Sequence, residues 1–262
     1  MKIALFQSPT TNGDEVAAFS RIAQMLQAAA WAGAEMLVMP ELYLPGYNRP
    51  DLHPDRAQPK GGVWEDRLSR LCKESHCGLT IGWAERDGDA VFNVASCYHK
   101  TGEKLAHHRK LQLFGPMENA VFTPGDHYTV FDLGPFRAAL LICYDVEFAH
   151  HVQALAAQGV NLILVPTANP AGFEAVNRLL VPARANEFRL TIAYANYVGV
   201  EGDVTFGGGS VIVGPNGAPL AEAGQGEALL ICDLGVISNL DPAWLSTQLQ
   251  DRRDLPHGAT VG

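Results

Sequence analysis

No stretch of this 262-residue chain approaches the roughly 20 uninterrupted apolar residues that a membrane-spanning helix needs. A helical membrane protein is thereby excluded. There is no CxxC pair, and the five cysteines (Cys72, Cys77, Cys97, Cys143, Cys232) are odd in number and scattered, which argues against a disulfide framework and against a zinc site. Dense Lys/Arg clusters are missing as well. With a net charge of -9 the chain would repel nucleic acid phosphates and anionic lipid, so a small molecule is the expected partner. Met1-Lys2-Ile3-Ala4-Leu5-Phe6-Gln7-Ser8-Pro9 has one basic residue and an apolar run too short for a signal-peptide core, and a cytoplasmic protein is expected. No low-complexity linker divides the sequence, which predicts one domain over 1–262.

What is present is ordinary globular composition, 47% hydrophobic and 18% charged, arranged in an α/β pattern. Lys2 to Gln7 reads as a strand; Val16, Phe19, Ile22, Ala23, Leu26 and Ala30 then recur at helical spacing, and Gly33 serves as a left-handed cap. Met36-Leu37-Val38-Met39 follows as a strand buried on both faces and ends at Pro40. The second half repeats the design: a strand over Phe136 to Ile142, a helix from Ala149 to Gln158, Gly159, and the apolar run Leu162-Ile163-Leu164-Val165 ending at Pro166. Gly33 and Gly159, like Pro40 and Pro166, stand 126 residues apart. Further strands are predicted over Gly78–Trp83, Val91–Tyr98, Lys104–His108, Tyr128–Asp132, Leu190–Tyr197, Ser210–Val213 and Ala228–Cys232, and helices over Glu65–Ser75 and Phe173–Phe188.

Three ionisable residues sit where folding alone does not require them. Glu41 follows an apolar strand and Pro40, in a segment rich in Tyr and Leu, where burial would raise its pKa toward the range of a general base. A carboxylate that merely caps a surface loop fits the same position. Cys143 follows the apolar strand and precedes Tyr144-Asp145, at a strand-to-helix turn where a helix N-terminus would lower the thiol pKa and offer backbone N–H groups to an oxyanion. Free cysteines more often fill cores. Lys110 belongs to the short basic run His107-His108-Arg109-Lys110, which a solvated face would also explain, and the turn-rich segment after it contains Glu118, which needs a partner if buried. Together, a carboxylate, a lysine and a thiol at strand ends can supply a base, an oxyanion stabiliser and a nucleophile. The His107-His108 and His150-His151 pairs lack the i, i+4 spacing of helical metal ligands, and Gly207-Gly208-Gly209-Ser210-Val211 lacks the second glycine of a serine-hydrolase elbow, so neither metal catalysis nor a serine nucleophile is expected.

These segments resemble the nitrilase superfamily of carbon-nitrogen hydrolases. The matching residues are Pro40-Glu41 with Pro45-Gly46-Tyr47, Arg109-Lys110 leading to Phe114 and Glu118, and Cys143-Tyr144-Asp145 with Phe148; others are Val165-Pro166-Thr167-Ala168-Asn169, Arg184-Ala185-Asn186-Glu187, Tyr194-Ala195-Asn196 and Asp251-Arg252-Arg253. The resemblance implies a four-layer αββα sandwich with two pseudo-symmetric halves, no cofactor and no metal. It implies a catalytic set of Glu41, Lys110, Cys143 and Glu118, with Tyr144 donating its N–H to the oxyanion, and places Tyr47, Asn169 and Phe173 near the acyl group. Cys-Tyr-Asp in place of Cys-Trp-Glu favours a primary amide over a nitrile, with N-carbamoyl amines as the rival substrate and a non-catalytic binding protein as the remaining alternative. A homodimer or larger homo-oligomer is implied too, with 240–262 as a tail reaching the partner. Two departures stand out: Ala149-His150 replaces the family's Pro-Glu, and Arg252-Arg253-Asp254-Leu255-Pro256 replaces its Arg-Arg-Pro.

Overall fold

A computed structural model describes residues 1–253. The first half runs β1 (Lys2–Pro9), α1 (Glu15–Trp31), β2 (Met36–Val38), the short α2 (His53–Arg56) and β3 (Gln58–Pro59), α3 (Val63–Ser75), a meander of β4 (Gly78–Asp87), β5 (Ala90–Tyr98) and β6 (Lys104–Arg109), and α4 (Gly115–Val121). The second half runs β7 (Thr129–Leu133), β8 (Phe136–Leu140), a 3-10 turn over Cys143–Glu147, α5 (Ala149–Ala156), β9 (Leu162–Pro166), α6 (Val181–Phe188), β10 (Thr191–Ala195), β11 (Tyr197–Glu201), β12 (Val204–Gly207), β13 (Val211–Val213), β14 (Pro219–Glu222), β15 (Ala228–Asp233) and α7 (Gln248–Asp251). No helix among the described residues is long and apolar enough to cross a membrane.

Two mixed sheets result. One has the order β12-β11-β1-β2-β4-β5-β6, with β15 also pairing antiparallel to β1 and β3 pairing with β4; the other has the order β14-β13-β10-β9-β8-β7. Side-chain alternation explains how they stack. Ile3, Leu5, Met36 and Val38 point into a layer shared with Ala138, Leu140, Leu162, Leu164 and Ala193 from the other sheet. Their neighbours Ala4, Phe6 and Leu37 pack instead with Phe19, Ile22 and Leu26 of α1 and Leu68 of α3. On the far side Ala139, Leu141, Ile163 and Ile192 meet Val152 and Leu155 of α5 and Val181 and Ala185 of α6. The layers are therefore helix, sheet, sheet, helix, as expected, and strands covered on both faces must be apolar throughout. Cys72, Cys77, Cys97 and Cys232 are free and buried, and act as core residues.

The internal echo is real but local. β2 and β9 keep the 126-residue offset, as do Gly33 (φ 78°) and Gly159 (φ 81°) in left-handed conformation. The strands that lead each unit do not keep it, because α1 has 17 residues and α5 only 8. Two other expectations are corrected. The helix predicted over Phe173–Phe188 is a π turn, Val176–Leu180, running into α6; Pro182 in the first turn of α6 has no N–H to give, which widens the preceding turn. The strand predicted over Leu190–Tyr197 is split between the sheets at Asn196. That side-chain amide donates to Asn169 O at 3.1 Å and Gly208 O at 2.8 Å and accepts from Asn169 N at 2.8 Å, satisfying the backbone where the chain changes sheet. The strands β12 and β14 were not anticipated. Of the tail 240–262, residues 254–262, with the Asp254-Leu255-Pro256 departure, lie outside the described residues.

One close approach links fold to site. A Cβ built on Gly82 of β4 would stand 2.4 Å from Leu42 N and 2.6 Å from Glu41 Cα, both backbone atoms. Gly82 thus lets the strand press against the turn that carries Glu41. Gly82→Ala is expected to lower the unfolding free energy by about 1–3 kcal/mol in urea titrations, whereas Gly226→Ala, whose Cβ meets open space, should stay within about 0.5 kcal/mol of the parent. Equal effects of the two would show that the approach is relaxed at no cost.

Candidate active site

Glu41 lies just beyond β2, with its backbone N–H donating to Thr167 O at 3.3 Å and its carbonyl accepting from the Tyr197 hydroxyl at 3.0 Å. Thr167 is its counterpart under the 126-residue offset, so the two equivalent strand ends meet across the sheets. Lys110 lies just beyond β6: its N–H donates to Asn93 O at 2.8 Å and its carbonyl accepts from Gly125 N at 2.7 Å. Glu118 projects from α4, anchored by Phe114 N–H at 3.0 Å to its Oε2.

These three side chains converge with no solvent exposure at all. Lys110 Nζ donates to Glu41 Oε1 at 2.6 Å and to Glu118 Oε1 at 2.7 Å. Asn93 Nδ2 donates to the same Glu41 oxygen at 2.7 Å, and the Tyr47 hydroxyl to Glu118 Oε1 at 2.8 Å. Glu41 Oε2, by contrast, is buried and has no hydrogen-bond partner among the described residues. One carboxylate oxygen is fixed and the other is free to accept a proton.

Cys143 follows β8 and is 8% exposed, with a left-handed φ of 44°. For a side chain with a Cβ that conformation is strained, and the Asp145 carboxylate holds it in place. Its Oδ2 accepts from Ile142 N at 3.0 Å, and its Oδ1 accepts from Leu111 N at 3.0 Å and Gln112 N at 2.7 Å. One side chain therefore ties the turn bearing Cys143 to the segment after Lys110. His108 points to the same Asp145, while His107, next in sequence, faces Ser96 and Glu85 on the other side of the strand.

Burial dominates the electrostatics. Burial pushes the Glu41 carboxyl up to about 7, with Lys110 opposing it and Glu118 adding to it. The expected lowering of the Cys143 pKa is corrected: burial raises it well above the ordinary thiol value, Glu41 raises it further, and Lys110 only partly opposes. The turn after Cys143 is 3-10 and five residues long, too short to present a full helix dipole. Burial thus favours the neutral thiol over the thiolate at Cys143. Lys110 is driven above its usual value by the two carboxylates, against burial, and stays charged.

Cys143 opens on a cavity of about 220 Å3. Tyr144, Asn169 and Phe173 line it together with Phe114, Glu147, Ala168 and Pro170. Tyr47 sits behind Glu118 rather than on the wall. A larger cavity of about 530 Å3 lies between α5, α6 and α7, but it contains none of these groups, and chemistry rather than size identifies the site. Sequence reasoning missed Asn93 and Glu147. The first is an amide within an otherwise apolar strand and the second an acid four residues after Cys143, and both signals were legible. At the departure from Pro-Glu, His151 is buried between Gln112 Nε2 (3.0 Å) and the Tyr128 hydroxyl (2.8 Å), while His150 is exposed beside the Phe148 ring.

The carbon-nitrogen hydrolase family model matches residues 2–236. A protein described as a hydrolase in the pqqF 5' region of Pseudomonas protegens is 33% identical over 256 residues, covering 97% of this chain and 89% of its own. An (R)-stereoselective amidase of Pseudomonas sp. is 32% identical over 235 residues, covering 89% of this chain and 85% of its own. The amidase of Nesterenkonia sp. AN1 superposes with a TM-score of 0.87 at 37% identity over 97% of this chain and 96% of its own, in a structure showing Michael addition of acrylamide at its active-site cysteine. A cysteine mutant of that amidase has been solved in complex with butyramide.

Replacing Lys110 by Met would leave two buried carboxylates without their shared cation. The expected loss is about 3–5 kcal/mol of unfolding free energy at pH 8. It should shrink at pH 5, because Lys110 holds the folded Glu41 carboxyl down to about 7 and without that cation the carboxyl keeps its proton to higher pH, so parent and variant diverge as pH rises above about 7. Urea titrations at the two pH values measure both, and a loss independent of pH would contradict this electrostatic account.

Proposed function

The chain belongs to the carbon-nitrogen hydrolase family, a hydrolase of carbon-nitrogen bonds other than peptide bonds, and we propose that it is an amidase releasing ammonia from small primary amides. The observation that carries the reading is the juxtaposition of a cavity-lining thiol with a carboxylate whose one oxygen is fixed and whose other is free. The amidases among the similar proteins support the choice of amide.

In the proposed cycle Cys143 Sγ forms a bond to the amide carbon while its proton passes to Glu41 Oε2. Lys110 Nζ has three hydrogens, of which two go to Glu41 and Glu118, so the third can face the developing oxyanion together with the Tyr144 N–H. As the tetrahedral species collapses, the C–N bond breaks and Glu41 delivers its proton to the departing nitrogen, leaving a thioester and ammonia. Water then attacks the thioester carbon and gives a proton to Glu41. The C–S bond breaks, the proton returns to sulfur, and the carboxylic acid leaves. Glu118 exchanges no proton in this scheme; with Tyr47 and Phe114 N–H it fixes Lys110. No step calls for a metal or an organic cofactor.

The proposal includes a single domain, supported by the pairing of β15 with β1 from opposite ends of the chain. It includes a homodimer or larger homo-oligomer, supported by Trp244 and Leu249, large apolar side chains exposed in the described part of the 240–262 tail. A monomer in light scattering, unchanged on removal of that tail, would refute the assembly.

Ammonia release should be measured on primary amides, the matching nitriles and N-carbamoyl amines, with carbon dioxide followed in parallel and Cys143→Ala beside the parent. Amide turnover that disappears in the variant is expected. Turnover surviving in Cys143→Ala would remove Cys143 as nucleophile, and carbon dioxide release would move the substrate class to N-carbamoyl amines. The pH profile gives an independent check: protonated Glu41 cannot take the thiol proton, so kcat/KM should rise through an apparent pKa near 7 and then level. A profile that falls across pH 5 to 8 would contradict Glu41 as the base.

A further inference from the structure

Among the described residues Glu147 is the one carboxylate on the cavity wall, one turn beyond Cys143. Its side chain makes no hydrogen bond or ion pair with any other described residue, yet it is half-buried and feels the charges of Lys110 and Arg184. Neither cation makes a hydrogen bond or ion pair with its carboxylate, although Arg184 Nε is itself buried without a partner among the described residues. Lys110 is held by Glu41 and Glu118, and Arg184 donates Nη2 to the backbone carbonyl of Glu147 at 2.8 Å and Nη1 to Glu187 at 3.3 Å. Burial pushes the Glu147 carboxyl above its ordinary value, which reflects the cost of holding an unpaired anion there. The rest of the wall is largely aromatic: the Phe114 ring packs edgewise on Tyr144 at 5.2 Å and on Phe173 at 5.7 Å. Ring faces and a carboxylate attract a cation and disfavour an anion.

We propose that Glu147 determines substrate specificity, selecting amides whose acyl chain carries a protonated amine, such as aminoacyl amides, over neutral alkyl amides and half-amides of dicarboxylic acids. The inference rests on the amidase reading above. The ammonium group supplies the partner that Glu147 lacks, and its distance from the reacting carbon is set by the single turn between Glu147 and Cys143. Glu147 touches the acyl chain and takes no part in bond making.

The test compares β-alaninamide, its isostere butyramide and the anion succinamate, by kcat/KM, in the parent, Glu147→Gln and Glu147→Asp. The parent should prefer β-alaninamide and turn over succinamate least. In Glu147→Gln the ratio of β-alaninamide to butyramide should fall about 10- to 100-fold, the range for one charge-assisted hydrogen bond, and Glu147→Asp should keep part of the preference. A ratio that stays constant while both rates drop together would make Glu147 a structural residue held through Arg184 and would overturn the proposal. Calorimetric binding of β-alaninamide and butyramide to Cys143→Ala, which needs no turnover, separates the two readings. Tighter binding of the cationic amide supports the inference even if the parent releases no ammonia, a result that would defeat the amidase reading alone; equal binding, or none of either, overturns it.

Discussion

The arrangement depends on one ammonium group held between two carboxylates out of contact with water. Lys110 at 2.6 Å from Glu41 and 2.7 Å from Glu118 is held there because the two carboxylates are themselves bound by protein donors: Asn93 Nδ2, the Tyr47 hydroxyl and the Phe114 N–H. Burying charge is unfavourable unless pairing is nearly complete. Glu41 Oε2 and Asn93 Oδ1 are the buried atoms of this cluster left without a partner among the described residues, and burial, opposed by Lys110, is what raises the Glu41 carboxyl. A fold that supplies these partners must bring together the end of β2, the middle of β5, the end of β6 and the start of α4. The β4–β5–β6 meander does so, with Gly82 allowing the final close approach.

The second sheet contributes the thiol, and its attachment to the first is specific. Asp145 binds backbone N–H groups on both sides of the site, and Glu41 N–H reaches Thr167 O across the gap between strand ends. The relative position of the Cys143 thiol and the Glu41 carboxylate is thus set by hydrogen bonds to main-chain atoms, which have little freedom to drift. Side-chain burial alone would not fix it so closely. The strained φ of Cys143 belongs to the same design: the turn leaves strand geometry soon after the sheet ends, and the residue lies at the edge of the inter-sheet core where it borders the cavity.

Much of this was legible in the sequence, for reasons that differ from place to place. Strands covered on both faces leave unbroken apolar runs, so β2, β8 and β9 were visible, and Gly33 and Gly159 marked the helix ends that precede two of them. The polar residues that terminate those runs were visible for the same reason. Periodicity could not reveal that Leu190–Tyr197 divides between two sheets, because Asn196 replaces ladder bonds with side-chain bonds and the apolar pattern continues through it. Nor could it reveal the sign of the thiol shift. A position after a strand suggests a helix N-terminus, whereas the actual environment of Cys143 is set by desolvation and by Glu41, which are tertiary facts. Short exposed strands such as β12 and β14 carry little apolar signal and were lost.

The pairing of β15 with β1 bears on how the chain is made. Lys2 to Gln7 leave the ribosome long before their antiparallel partners, Ala228 to Asp233, are synthesised. Until then β1 can pair with β2, while its other edge stays open for most of translation and is a template for unintended strand addition. Completing the first sheet is therefore a long-range event, in which a long stretch of chain must be closed before the last pairing is gained.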